Sequence, residues 1–165
     1  KEVLELIKCG ENGENVGMMS EAGCPGIADP GSILVKVAHQ KNIRVIPLIG
    51  PSSILLALMA SGFSGQSFVF HGYLQKNIND LKKQLQQLEQ QSNRLKQSQI
   101  FIETPYRNMG MLEEAFKTLS AETRLCVAVD LSLETEFILT KKIKDWKKLK
   151  LPNFHKRPAI FLIQG

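Results

Sequence analysis

Two bends rich in glycine and proline carry the residues best suited to gripping a compact polar ligand with bare main chain. The first, within Ser20 to Gly31, holds Gly23, Pro25, Gly26, Pro30 and Gly31; the second is Gly50-Pro51-Ser52-Ser53. A glycine has no Cβ, so the backbone there can come close to what it faces. Ser52 and Ser53 stand where a helical pattern opens; their hydroxyls donate and accept, and a helix start favours negative charge. Such a pair of loops suits a nucleoside-like cofactor with a carboxylate. On spacing alone, two ordinary tight turns fit equally well. Neither GxGxxG nor GxxxxGK[ST] occurs, so no nucleotide class follows from the residues unaided.

Other side chains offer acid–base and phosphate chemistry. Glu21, Asp29 and Glu103 are candidate general bases, with loop-amide contacts or a Glu103–Arg107 pair as the plainer alternative. Arg107 beside Tyr106 could clamp a phosphate or stack on a base, and a surface ion pair serves as well. His39, His71 and His155 show no ligand spacing with cysteines or carboxylates, so no metal is expected. Cys9, Cys24 and Cys126 are scattered, odd in number and without a CxxC, which points to free thiols and a cytoplasmic setting.

These residues need positioning elements. The order around the bends reads strand (Val16–Met19), loop, helix, strand (Ile43–Ile49), loop, helix, which favours a parallel sheet with both loops at its carboxyl ends. Before it, Val3, Leu4 and Ile7 mark one face of a short helix. Asp29-Pro30 is expected to start the next helix, with Ile33, Leu34, Val37 and Ala38 on one face. The helix Ile54–Ala60 is apolar nearly all round and is expected to be buried.

Ser61-Gly62-Phe63-Ser64-Gly65 reads as a domain boundary, giving an N-terminal α/β domain over 1–63 and a C-terminal α/β domain over 64–165. In the second part the patterns predict strands at Ser67–Phe70, Gln99–Glu103, Leu125–Val129, Glu134–Leu139 and Ala159–Ile163. Between them fall a long helix with Ile78, Leu81, Leu85, Leu88 and Leu95 as its stripe, a helix N-capped by Asn108, and a short helix around Trp146. Short connections there favour a mixed sheet.

The chain has 165 residues, 43% of them hydrophobic and 22% charged, as an ordinary globular protein does. No apolar run reaches the length that spans a membrane, so no membrane partner is expected. The opening residues lack the pattern of a signal peptide, and their abrupt start reads as a piece of a longer protein. A net charge of +5 favours an anionic partner such as RNA. Much of it sits in Lys141, Lys142, Lys144, Lys147, Lys148, Lys150, Lys156 and Arg157. A solvated helix face is the plainer account of that run; phosphate contacts are the other.

Several stretches, in order, resemble the tetrapyrrole methylase superfamily, the class III methyltransferases that use S-adenosylmethionine. They are Glu21-Ala22-Gly23-Cys24-Pro25, Asp29-Pro30-Gly31, Pro47-Leu48-Ile49-Gly50-Pro51, Gly72-Tyr73-Leu74-Gln75 and Ile102-Glu103-Thr104-Pro105-Tyr106-Arg107. The nearest branch is the ribosomal RNA small-subunit methyltransferase I group. The resemblance implies two α/β domains with the cofactor in a cleft between them, and a homodimer. It places Gly23, Cys24, Pro25 and Ile27 along the methionine side, Ser52 and Ser53 as hydrogen-bonding groups, and Leu74 near the adenosine. Ala128, Pro158 and Ala159 would close the adenine pocket, and Glu103, Tyr106 and Arg107 would meet the substrate.

Three departures stand out. Cys24 occupies a position where the RNA branch has Thr, Val129 and Leu133 replace two basic residues, and the family's N-terminal strand has no counterpart. The function implied is methyl transfer to ribosomal RNA of the small subunit, at a ribose 2′-oxygen. A methyltransferase for a small tetrapyrrole-like substrate, or a non-catalytic binding or dimerisation fragment, are the alternatives.

Overall fold

A computed structural model describes residues 2–165, which divide into two compact units, the first ending at Ser52 and the second running from Ser53 to Gly165. In the first, α1 (Glu2–Glu11) and α2 (Ser32–Gln40) pack together, with Ile7 and Ala38 buried and Lys41 3.0 Å from Glu11.

The two strands expected here, Val16–Met19 and Ile43–Ile49, are not formed: both runs are irregular backbone. An apolar run becomes a strand only when its amides and carbonyls find a neighbouring ladder, and neither run makes one among the described residues. Their side chains stay out accordingly, with Leu48 88% and Ile49 106% exposed. Nor does Asp29-Pro30 start α2, which begins at Ser32 behind Gly31, with no side-chain cap. Gly31 has φ +134°, and a Cβ there would lie 2.5 Å from the Met18 sulfur. Only glycine fits that bend.

The second unit holds a five-stranded mixed sheet in the order β1-β2-β5-β3-β4. Its strands are β1 (Phe68–Tyr73), β2 (Ser98–Ile102), β3 (Arg124–Val129), β4 (Phe137–Lys142) and β5 (Ala159–Gln164). β1 and β2 are parallel; every other pairing is antiparallel. Apolar residues alternate between the faces with the strand period of two. Phe101, Leu125, Val127, Phe161 and Ile163 pack under α4 (Ile78–Leu95), α5 (Asn108–Thr118) and α6 (Ile143–Trp146). Ile100, Cys126, Ala128, Ile160 and Leu162 pack under α3 (Ser53–Ser61).

The stripe of α4 is buried at Leu81, Leu85 and Leu88 but not at its ends, Ile78 and Leu95. Asn77 caps this helix, its Oδ1 accepting from the Asn79 amide at 2.9 Å. α3 is not buried all round as its composition predicts: Ala57 and Leu58 meet the sheet, while Leu55 and Met59 face outward, Met59 80% exposed.

Buried polar groups are satisfied locally. The Trp146 indole donates to the Leu125 carbonyl at 2.8 Å. Glu89, on the inner side of α4, accepts from the Ser120 amide and from the Ser120 and Thr123 hydroxyls, so its buried carboxylate is ringed by donors.

Leu112 is fully buried in the larger core, whereas Met59 is not packed. Leu112→Ala should cost about 2–5 kcal/mol in urea denaturation; Met59→Ser should stay within about 0.5 kcal/mol.

Candidate functional site

In the first unit the two glycine–proline bends are brought together. The Cys24 thiol donates to the Pro51 carbonyl across 3.4 Å, a weak sulfur hydrogen bond between the first bend and the second. The first bend is closed by the Ile27 amide donating to the Cys24 carbonyl at 3.2 Å. At Gly23, Gly26 and Gly50 an added Cβ would meet no atom within 4 Å. The main chain there faces open space, as a backbone that receives a ligand must. Gly23 has φ +76°, a conformation that glycine adopts without strain. Cys24 and Pro25 are half-buried and Ile27 is exposed; Ser52 is half-buried. Glu21 is exposed and Asp29 half-buried, and both lie on the same bend.

In the second unit the sheet topology gathers the other candidates at one edge. β1 and β2 run parallel, so their carboxyl ends lie side by side and lead into Leu74–Lys76 and Glu103–Arg107. β5 runs the opposite way, with Ile160 opposite Ile102, so its start at Pro158-Ala159 joins the same edge. β3 ends there too, with Val129 opposite Ala159. Leu74, Ala128, Pro158, Ala159, Glu103, Tyr106 and Arg107 thus share this edge. Ser53 opens α3, the helix that covers one face of the sheet. Leu74 and Ala159 belong to the core under α4 and α5, Ala128 to the core under α3, and Pro158 is exposed.

Two arginine–carboxylate clusters hold the edge. Glu103 is buried, its Oε1 accepting from the Thr104 amide at 2.7 Å. The Arg107 guanidinium lies 3.3 Å from Glu103 Oε2 as an ion pair whose angle falls short of a hydrogen bond, and that oxygen is otherwise unfilled. The same guanidinium donates to the Gln75 and Lys76 carbonyls, so Arg107 ties the loop after β2 to the loop after β1.

In the second cluster Arg157 Nε donates to Asp130 Oδ2 at 2.7 Å and its Nη2 to the Thr135 carbonyl at 2.5 Å. Thr135 Oγ1 donates to the same Asp130 oxygen at 2.7 Å, and the Asp130 amide to the Pro158 carbonyl at 3.0 Å. Asn108 adds a third link. It does not cap α5: that place is taken by Arg107, and the buried Asn108 amide donates to the Arg157 and Phe154 carbonyls. A side chain drawn inward to those carbonyls is not free to turn back onto its own helix.

Tyr106 stands apart from these clusters. It is 68% exposed, with the His155 ring edge-on at 5.7 Å and Lys156 Nζ 5.7 Å from its centroid. The packing of His155 and Lys156 against Tyr106 was not legible in sequence, since about fifty residues separate them, nor was the pairing of Asp130 with Arg157.

The lysine run is partly neutralised. Glu122 lies 2.7 Å from Lys142 and also pairs with Lys144, while Lys148 lies 3.1 Å from Asp145. The hydrogen bond from Lys142, then that from Lys144, holds the Glu122 carboxyl at about 2, against an ordinary value of 4.5. Its stabilising effect is complete above the unfolded value and lost as pH falls through about 2. Carbonyl NMR should show Glu122 titrating near 2, and Lys142→Ala with Lys144→Ala should return it toward 4.5. At the sheet edge, Asp130→Asn would leave Arg157 without its counter-charge. Denaturation should show a loss of about 3 kcal/mol, the low end for a buried pair because Arg157 is partly exposed.

No family model matches the chain. Curated relatives do. The ribosomal RNA small subunit methyltransferase I of Haemophilus influenzae is 30% identical over 162 residues, 97% of this chain and 56% of the relative. That of Synechocystis is 35% identical over 128 residues, 78% of this chain and 44% of the relative. The chain is a relative of the ribosomal RNA small subunit methyltransferases I, with a tetrapyrrole methylase fold. It spans about half the length of the curated relatives it matches. The fold rests on solved structures: the methyltransferase CobJ superposes at a TM-score of 0.64 and 17% identity, covering 99% of this chain and 70% of that one. The cobalt precorrin-4 methyltransferase CbiF, a cobalamin biosynthetic enzyme, superposes at 0.61 and 12% identity, over 99% of this chain and 69% of that one.

Proposed function

We propose that the chain belongs to an S-adenosylmethionine-dependent methyltransferase that modifies small-subunit ribosomal RNA, at a ribose 2′-oxygen. The observation that carries this reading is the 30% identity to a ribosomal RNA small subunit methyltransferase I over 97% of the chain. Similarity in fold to a cobalamin biosynthetic enzyme, at 12% identity, carries no substrate with it. A small tetrapyrrole-like acceptor therefore ranks second. The reading includes a homodimer in the cytoplasm, as the family resemblance implies.

S-adenosylmethionine supplies a methyl group on a sulfonium, already a good leaving group. The protein's task is to align the acceptor oxygen with that methyl and to exclude water. In the first unit the open main chain at Gly23, beside Cys24, Pro25 and Ile27, suits the methionine portion, with Ser52 as a hydroxyl partner. In the second unit the exposed Ser53 and Pro158 suit the adenosine portion, with Leu74, Ala128 and Ala159 packed in the cores behind the edge. Glu103 is engaged by Thr104 and Arg107, which favours a positioning role over proton transfer.

Titration of the full chain with S-adenosylhomocysteine should release heat with one-to-one stoichiometry. Labelled methyl groups should then pass to undermethylated small ribosomal subunits. Absence of binding by folded protein would leave the non-catalytic reading; transfer that ignores added RNA would remove ribosomal RNA as the acceptor.

A further inference from the structure

We propose that Tyr106, with Lys156 and His155 packed against it, is a stacking platform for an unpaired RNA base, with Lys156 holding an adjacent phosphate. This deepens the ribosomal RNA reading and rests on it.

The first support is an asymmetry between neighbours. Arg107 has its guanidinium committed to Glu103 and to two main-chain carbonyls, so it braces the loop and has little left for a ligand. Tyr106, one residue earlier, makes no side-chain hydrogen bond among the described residues and is 68% exposed. An exposed tyrosine ring offers an apolar face on which another ring can stack while its hydroxyl stays in water.

The second is rigidity. The Arg107 amide donates to the Thr104 carbonyl at 2.8 Å, closing the turn that carries Tyr106. The Lys156 amide donates to the Pro105 carbonyl at 3.0 Å, joining that turn to the loop before β5. Lys156 holds φ +63°, a conformation that side chains rarely adopt, and it does so where its amine comes over the Tyr106 ring. His155 is anchored by its amide donating to Asn153 Oδ1 at 2.9 Å. A ring held this way loses little freedom when a base stacks on it.

The third is charge. Lys76 and Lys156 border this stretch, and neither pairs with a carboxylate among the described residues. The two buried carboxylates of the edge, Glu103 and Asp130, are matched by Arg107 and Arg157. Cations beside an exposed aromatic face fit single-stranded RNA, whose unstacked bases offer a ring and whose phosphates offer charge. An acidic peptide would answer the lysines and leave the ring unused.

The test measures fluorescence anisotropy of the full chain with a labelled, unstructured oligoribonucleotide of about a dozen nucleotides. Heparin serves as a base-free polyanion, and melting curves confirm that each variant is folded. Tyr106→Ala should weaken RNA binding roughly 5- to 150-fold, the range for one stacked base. Tyr106→Phe should remain within about twofold, and heparin binding should be unmoved by either. Lys156→Gln should lower the salt slope of RNA binding by about 0.7, one single-strand phosphate contact.

Full RNA affinity in Tyr106→Ala would overturn the proposal, as would equal losses for RNA and heparin, or no RNA binding by the unaltered chain. Heat released by S-adenosylhomocysteine, measured on the same samples, keeps the two readings apart. Its persistence alongside a failed Tyr106 result would sink the platform and spare the methyltransferase.

Discussion

The backbone pairing of β5 is the constraint on which the second unit depends. Ala159–Gln164 lies between β2 and β3, antiparallel to both, with nearly every residue buried. That register puts the start of β5 beside the ends of β2 and β3 and so builds one edge from four segments distant in sequence. Without it, the loop after β3 would share no surface with the loops after β1 and β2, which the direct pairing of those two strands already brings together. The two cores follow from the same strand: Phe161 and Ile163 point to one, Ile160 and Leu162 to the other.

Charge is handled differently inside and outside this frame. Asp130 and Glu103 are taken out of water at the edge, and each is met by an arginine that also reaches main-chain carbonyls. A planar guanidinium with several donors can serve a carboxylate and a loop together, which a lysine cannot do with the same geometry. On the surface, Glu122 gathers Lys142 and Lys144, which tempers the lysine run without burying any of it. Part of the lysine run is therefore engaged in pairing rather than left as an open face for phosphates.

Secondary structure in the second unit was legible because its patterns are long and local. The stripe predicted for the long helix buries Leu81, Leu85 and Leu88, though not Ile78 and Leu95, and the apolar run Leu125–Val129 is buried throughout. The first unit was less legible. Val16–Met19 and Ile43–Ile49 have the composition of buried strands, but a strand is a relation between two segments, and composition describes only one. Asn108 misled for a kindred reason: it has the chemistry of a cap, and the pull of the Phe154 and Arg157 carbonyls, nearly fifty residues away, was invisible.

By itself the sequence determined the mixed α/β character of the second unit, the positions of its helices, and an ordered series of glycine–proline and Glu103–Arg107 stretches that relates the chain to known methyltransferases. These are properties of neighbours along the chain, set by side-chain period and backbone freedom. Only the tertiary structure decided that Arg107 is bound up with Glu103, that Asp130 is met by Arg157, and that Tyr106 stands exposed between His155 and Lys156. Those pairings join residues some four to fifty positions apart; the distant ones exist only because antiparallel β5 carries the chain back to the ends of β2 and β3.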